Sequence, residues 1–416
     1  MTSGRSSDEL NRSWPDEGDS RVPYWIYTDP DIYRREVERI FEGPTWNYLG
    51  LDCEIPAAGD FKRTSIGEQC VLIVRAGDGT VSGLINRCAH KGVQISQAQS
   101  GHVEHFQCPY HQWTYDLKGK LLGVPFRRGV KGKGGMPEDF SLSEHDLTRF
   151  QVVTRNGAIF GSLASNGSTP SFDAYLGPTI LPLYDRMFDG RRLRLLGHSR
   201  QRIAANWKLM LENIKDPYHA SLLHVFFVTF GLFRADNTSA IRMDESGLHT
   251  ALVSSRNAQE LNEGTEQMQS FKGDLVLEGP QLIDTVQEFA GDATVVMQTI
   301  WPNLILQQQS NTLATRQIVP MGPAAFDLHW TFFGYETDDE AMTERRLLQA
   351  NLMGPAGLVS MEDGEVIARN QDGIRGISLR AGVVELGGRD YDDTDHMVTE
   401  VAVRAFYRGY RRVMGL

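Results

Sequence analysis

The spacing of apolar positions along the chain changes several times. Residues 1–22 show no apolar period and read as a flexible polar arm. Over residues 29–41 the period is helical: Ile32, Val37, Ile40 and Phe41 recur at helical spacing, with Asp29 placed as N-cap and Pro30 in the first turn. Between residues 46 and 163, short β-branched runs (VLIVRAGDG, VSGLIN, QCPYHQWTYDLKGK, GAIFGSL) alternate with turn signals, and Asp78-Gly79 and Lys118-Gly119 mark hairpins. Residues 165–170 read as a linker. Beyond them come a strand-like RLRLLGHSRQRIAAN, a helical stretch over 207–233, strand signals in HTALVSS, TVVMQTIWPNLILQQQ and FDLHWTFFGYE, and helices over 338–368 and 397–413. Strands and helices mixed without βαβ alternation predict an α+β chain. Residues 1–44 form an arm and helix, 45–164 a small all-β domain, and 165–416 a domain with an antiparallel sheet flanked by helices. No internal repeat is visible.

Composition narrows the class. The 416 residues are 41% hydrophobic and 23% charged, which fits two or three globular domains. A net charge of −11 argues against a nucleic-acid partner, and 4 Cys are too few for a disulfide scaffold. The polar N-terminus lacks the apolar stretch of a signal peptide. The most apolar run, 222–233, is shorter than the roughly 20 residues a membrane span needs, and it contains His224. A cytoplasmic protein without membrane association is expected.

Two clusters carry chemistry. In the β region, Cys88-Ala89-His90 is followed by Cys108-Pro109-Tyr110-His111. Each loop offers one thiolate and one imidazole, the ligand set of a Rieske [2Fe–2S] centre, where two His replace two Cys on one iron. A structural zinc site uses the same residue types, but its spacing pairs Cys with Cys and His with His. Cys53 and Cys70 read as small buried residues.

The second cluster is Glu212-Asn213-Ile214-Lys215-Asp216-Pro217-Tyr218-His219, then His224. Two His and one carboxylate on one face of a metal leave positions open, the pattern of non-haem Fe(II) oxygenases. Asp216 and His219 share a helical face. His219 and His224, five residues apart, point about 140° away from each other in an ideal helix, so convergence requires distortion, by Pro217 or a π-bulge. The third ligand must come from elsewhere in the chain.

These motifs, with Asn86-Arg87, Lys91-Gly92 and CPYHQWTYDLKG, resemble the large (alpha) subunits of Rieske non-haem iron ring-hydroxylating oxygenases. Gln112 departs from the Gly usual after the second His. The resemblance assigns Cys88, His90, Cys108 and His111 to the cluster. It assigns His219, His224 and, through SMEDGEV, Asp363 to mononuclear Fe(II), with Glu362 the neighbouring alternative. It makes Asp216 the carboxylate linking the two centres across a subunit boundary, hydrogen-bonded to His219 and to His111 of the next copy. It further implies O2 as cosubstrate, NAD(P)H electrons arriving through a ferredoxin and a reductase, an alpha homotrimer and a small beta subunit. No G-x-G-x-x-G on a βα unit suggests direct NAD(P)H binding.

ENIKDPYHASLLHVFFVTFGLFR most resembles the branch acting on aromatic carboxylates, namely salicylate 5-hydroxylases and anthranilate and terephthalate dioxygenases. A small aromatic substrate is expected, with Asn213, Phe226, Phe227 and Phe233 as pocket candidates. Arg316 or Arg234 is the candidate for holding a carboxylate. The rivals are a demethylase-type Rieske monooxygenase on a non-carboxylated substrate and a bare Rieske electron carrier. The carrier would leave the second cluster unexplained.

Overall fold

The computed structural model describes residues 12–165, 167–256, 263–266, 269–377 and 380–416. Residues 1–11 of the expected arm and residue 166 of the expected linker lie outside these.

Asp29 caps its helix as expected, accepting from the N–H groups of Asp31 (2.7 Å) and Ile32 (3.4 Å), and Pro30 opens Pro30–Glu36. Val37–Phe41 continues as a π-helix.

The β unit is built on an antiparallel sheet of seven strands. Its centre runs Arg149–Arg155, Val81–Ile85, Gln69–Arg75 and Asp60–Ile66, and a three-stranded sheet (Phe106–Gln107, Thr114–Tyr115, Leu121–Gly123) adjoins it. Both predicted hairpin turns form, with Gly79 and Gly119 at φ +82° and +85°, where a side chain would be strained.

The large unit is organised around a second antiparallel sheet, ordered Leu193–Ile203, Phe326–Tyr335, Thr312–Pro320, Leu304–Gln309, Ala293–Ile300, Thr250–Ser255 and Thr238–Met243. Its middle strands are buried on both faces, so they lack the polar alternation of a half-exposed strand. On one face, Ile305, Ala314, Ile318 and Trp330 pack with Trp207, Leu209, Ile367 and Phe406 of the helices. On the other, Leu304, Leu306, Leu313 and Phe333 pack with Leu176, Ile180 and Tyr184 of Phe172–Met187 and with Tyr48 and Phe160 of the β unit. The sheet is therefore the wall between the two units.

Residues 12–41 differ from the expected flexible arm and separate helix. They form part of the large unit's core: Trp14, Val22, Trp25, Ile32 and Phe41 are buried with Trp207, Trp301 and Phe406. Trp14 meets Trp25 edge-on at 6.2 Å and lies 5.9 Å from Tyr407, while Arg411 covers its ring at 4.8 Å and pairs with Asp19 at 2.8 Å. Arg21–Pro23 pairs with Ala381–Val383 as a small antiparallel ribbon. Further on, Glu36 is fully buried against Lys208 at 2.6 Å, with Trp207 Nε1 (2.9 Å) and the Tyr410 hydroxyl (2.5 Å) completing its hydrogen bonds. Single aromatic residues without periodicity hide such packing from a pattern reading.

Trp14→Ala should destabilise the chain by about 3 kcal/mol, read as a lower denaturant midpoint. An unpacked arm would give no change.

Candidate metal centres

Two loops of the β unit have matching backbone hydrogen bonds. Cys88 N–H donates to Val93 O (2.8 Å) and Gly92 N–H to Cys88 O (3.0 Å); Cys108 N–H donates to Trp113 O (2.8 Å) and Gln112 N–H to Cys108 O (2.9 Å). The fifth residue of each loop is left-handed, Gly92 at φ +76° and Gln112 at φ +57°. The departure noted at Gln112 thus falls on a position whose backbone favours glycine.

The loops bring together two buried, unpaired cysteines and two imidazoles whose ring centroids are 4.7 Å apart. The Nδ1 atoms of His90 and His111 are both buried without a hydrogen-bond partner. Two thiols and two orphaned imidazole nitrogens fit a [2Fe–2S] cluster bridging the loops. Trp113 stacks on His90 at 4.8 Å and 3°, and the Tyr115 hydroxyl lies 3.3 Å from Cys88 Sγ. Tyr110, 58% exposed, leans on His111 with centroids 3.8 Å apart, which puts the imidazole edge of the site at the surface.

In the large unit the expected helix is broken twice. Trp207–Lys215 ends at Asp216, Pro217–Leu223 follows, and His224 separates it from Val225–Thr229; Asp216 and His224 both take extended backbone, at φ/ψ −99°/91° and −87°/91°. These breaks, one at the residue before Pro217, turn the two histidines toward each other, so no π-bulge is involved. Asp216 Oδ1 caps the second segment, accepting from the N–H groups of Tyr218 (3.0 Å) and His219 (3.3 Å).

The imidazoles are oriented from behind. His219 Nδ1 faces the backbone carbonyl of Asp216, and its distance to the Asp216 carboxylate is 3.9 Å. The main chain of Asp216 therefore orients His219, where a bond from its side chain was expected. His224 Nδ1 meets Glu362 Oε2 at 2.7 Å. Both Nε2 atoms then turn inward, 3.4 Å and 3.3 Å from Asp363 Oδ1. One ligand atom from each of His219, His224 and Asp363 lies within 4.8 Å of the others, a donor set that fits one divalent ion. Burial raises the Asp363 carboxyl, but the two histidines outweigh it and hold it well below the usual range. Burial likewise disfavours charge on His224, yet Asp363 and Glu362 raise its pKa to about 9. The site attracts positive charge.

Around this triad, Asn213 Nδ2 lies 3.2 Å from Asp363 Oδ1, and the Phe227 ring lies 5.2 Å from His224. Phe226 packs on Phe230 (4.8 Å) and Phe233 on Phe227 (6.4 Å). Arg234 caps the carbonyls of Val228 (3.0 Å) and Thr229 (3.4 Å), which explains it as a local clamp. Arg316 is 2% exposed, on the sheet face that packs against the metal helices. Its Nε donates to Gln307 Oε1 (2.8 Å), Gln307 Nε2 donates to Gln309 Oε1 (3.0 Å), and the guanidinium covers Trp330 at 4.1 Å. Burial lowers its pKa to about 10 against the pull of Asp363, so it is charged at neutral pH. Gln307 and Gln309 escaped the sequence reading, although three glutamines in an apolar strand were the available signal; Glu362, expected only as an alternative iron ligand, instead orients His224.

A cleft of about 630 Å³ opens on the Asp216 side, lined among others by Glu212, Asn213, His219 and Glu400. Burial raises Glu212 to about 7 and also raises Asp216 and Glu400.

Residues 45–133 match the family "Rieske [2Fe-2S] domain", and residues 188–416 match "Ring hydroxylating alpha subunit (catalytic domain)". The chain belongs to the ring-hydroxylating alpha-subunit family. This alpha subunit is 52% identical to the salicylate 5-hydroxylase large oxygenase component of Ralstonia sp., over 97% of its own length and 96% of the relative's. It is 41% identical to the anthranilate 1,2-dioxygenase large subunit of Burkholderia cepacia, over 98% and 96%. In fold it is similar to naphthalene 1,2-dioxygenase from Rhodococcus sp., with a TM-score of 0.79 over 95% of this chain and 94% of that one, at 24% identity. The alpha subunit is thus an oxidoreductase, the oxygenase component of a Rieske aromatic ring-hydroxylating system. The cofactors are a Rieske cluster and a mononuclear iron. Among the described residues no helix is long and apolar enough to cross a membrane.

Glu362→Gln should weaken iron retention by about 10–100-fold in an Fe(II) titration while the cluster spectrum is unchanged. Gln112→Gly should raise stability by about 1 kcal/mol in a denaturant melt, because it removes a left-handed non-glycine residue.

Proposed function

We propose that the chain hydroxylates the ring of a small aromatic carboxylate of the salicylate type. The observation that carries this reading is Arg316. A charged guanidinium buried on the metal side of the sheet has, among the described residues, no carboxylate within ion-pair distance. Buried charges are ordinarily paired, so a substrate carboxylate is a natural counter-ion. Gln307 holds the guanidinium in place, and Gln309 extends the same polar row. The strong similarity to a protein named salicylate 5-hydroxylase points the same way.

In this reading His219, His224 and Asp363 hold Fe(II), and Cys88, His90, Cys108 and His111 hold the cluster. The bound iron supplies the redox chemistry that uses O2. The chain's own residues do the rest. Arg316 anchors one end of the substrate, Phe227 and Phe226 flank the ring, and Asn213 donates to Asp363 Oδ1. Apolar packing behind His224 excludes water.

Electrons would come from NAD(P)H through a separate reductase and ferredoxin. The His111 edge of one copy then meets the Asp216 cleft of the next in a cyclic alpha trimer, with small beta subunits completing an α3β3 assembly. The cleft supports this by chemistry: its carboxylates line it beside His219, and the cluster loops carry exposed Arg87, Lys91 and Tyr110. A shared hydrogen bond across that contact would give electrons a short path.

Arg316→Gln should raise KM for salicylate about 100-fold while leaving turnover of the uncharged amide analogue and the content of about three irons and two sulfides per chain unchanged. An equal loss on both substrates would remove Arg316 from carboxylate recognition.

A further inference from the structure

Away from the iron site, two adjoining cavities of about 460 and 360 Å³ lie along the seam between the Rieske unit and the outer side of the catalytic sheet. Arg63, Thr64, Gln99, Arg200 and His329 line both. Arg63 comes from the Rieske strand Asp60–Ile66. Arg200 and His329 stand directly opposite each other on adjacent catalytic strands. Thr64 Oγ1 and the Gln317 side-chain amide join the two units across the floor, at 3.0–3.2 Å.

Most charges here are matched. Lys62 pairs with Glu54 at 2.8 Å, His198 Nε2 lies 3.3 Å from Glu54, and Arg202 grips Asp327 with two bonds of 2.7 Å and 3.1 Å. Glu68, on the rim of the first cavity, accepts from the Tyr33 hydroxyl at 2.8 Å and has no cation within ion-pair distance among the described residues. Two guanidinium groups are left over. Neither Arg63 nor Arg200 makes a side-chain hydrogen bond or ion pair among the described residues. Arg63 Nε is buried without a partner, and so is His329 Nε2, whose nearest acid, Asp327, is 3.8 Å away and already committed to Arg202. Burial, with Arg200 adding to it, lowers His329 to about 4, so its ring is neutral at physiological pH and adds a polar contact without a third charge.

We propose that this seam is an anion site, separate from the iron pocket, for a small molecule that presents a carboxylate or phosphate group to Arg63 and Arg200, with His329 Nε2 as a third contact. Two cations converging from different units on one cavity suit a divided oxyanion. Tyr48, Leu195 and Met321 supply apolar wall for the remainder of an organic acid. An occupant would brace the Rieske unit against the catalytic sheet.

The test is calorimetric titration of the iron-loaded, assembled enzyme at fixed ionic strength, with inorganic phosphate and separately with benzoate. Phosphate binding weakened at least tenfold by Arg63→Gln/Arg200→Gln, with turnover unchanged, supports the site and a phosphate-bearing occupant. Benzoate binding at two sites per chain, one lost in that double variant and the other in Arg316→Gln, supports a carboxylate occupant. The two losses are separable, so failure at Arg316 would strike the substrate reading and leave the seam standing. If the double variant does not fold, Arg200→Gln, at an exposed position, carries the same expectation. The proposal is overturned if neither anion binds, or if both bind the variants as tightly as the parent chain.

Discussion

The catalytic unit depends on the neutralisation of one buried carboxylate. Asp363 is 3% exposed, and an isolated charge at that depth would be strongly disfavoured. His219 and His224 both answer it through Nε2, and the surrounding architecture serves to aim them. The helix that carries them must break at Asp216 and again at His224, and the backbone carbonyl of Asp216 and the carboxylate of Glu362 must hold the outer nitrogens. Tight packing fixes both partners. The helix bearing Glu362 and Asp363 shares one apolar core with the first metal helix and the sheet. A cation placed among these atoms completes an arrangement the polypeptide has already largely assembled.

Much of this was legible in the sequence, and the remainder has identifiable causes. Cys88, His90, Cys108 and His111 stand out because two closely spaced thiol–imidazole pairs are rare outside metal loops, and the structure gathers them as that pattern implies. The strands over Leu304–Gln309 and Thr312–Pro320 were readable from β-branched and apolar runs. The way His219 and His224 converge was only half readable. Their spacing demanded a distortion and Pro217 located one break, but the extended backbone at His224 has no local signature. The contact of Glu362 with His224 and the whole role of Gln307 were missed for a different reason. Each owes its role to a partner that is distant in sequence or lies across a strand pair, and periodicity is blind to both kinds of contact.

The two cluster loops show how one geometry accommodates different sequences. C-A-H-K-G-V and C-P-Y-H-Q-W close with the same pair of backbone bonds, although the histidine is third in one and fourth in the other. The frame is set by hydrogen bonding between loop ends, and the ligands are hung on it at different points. That leaves the second loop free to present Tyr110 outward and Trp113 inward against His90.

The packing of residues 12–41 against the C-terminal helix and the central sheet changes how the chain is divided. The catalytic body is assembled from both ends of the polypeptide, and the electron-carrying unit is spliced into it as an insert with two fixed attachment points. Chimeras that exchange this unit between related oxygenases therefore need two junctions, near residues 45 and 164. A single crossover after the Rieske segment would graft a foreign N-terminal piece into the middle of the catalytic core.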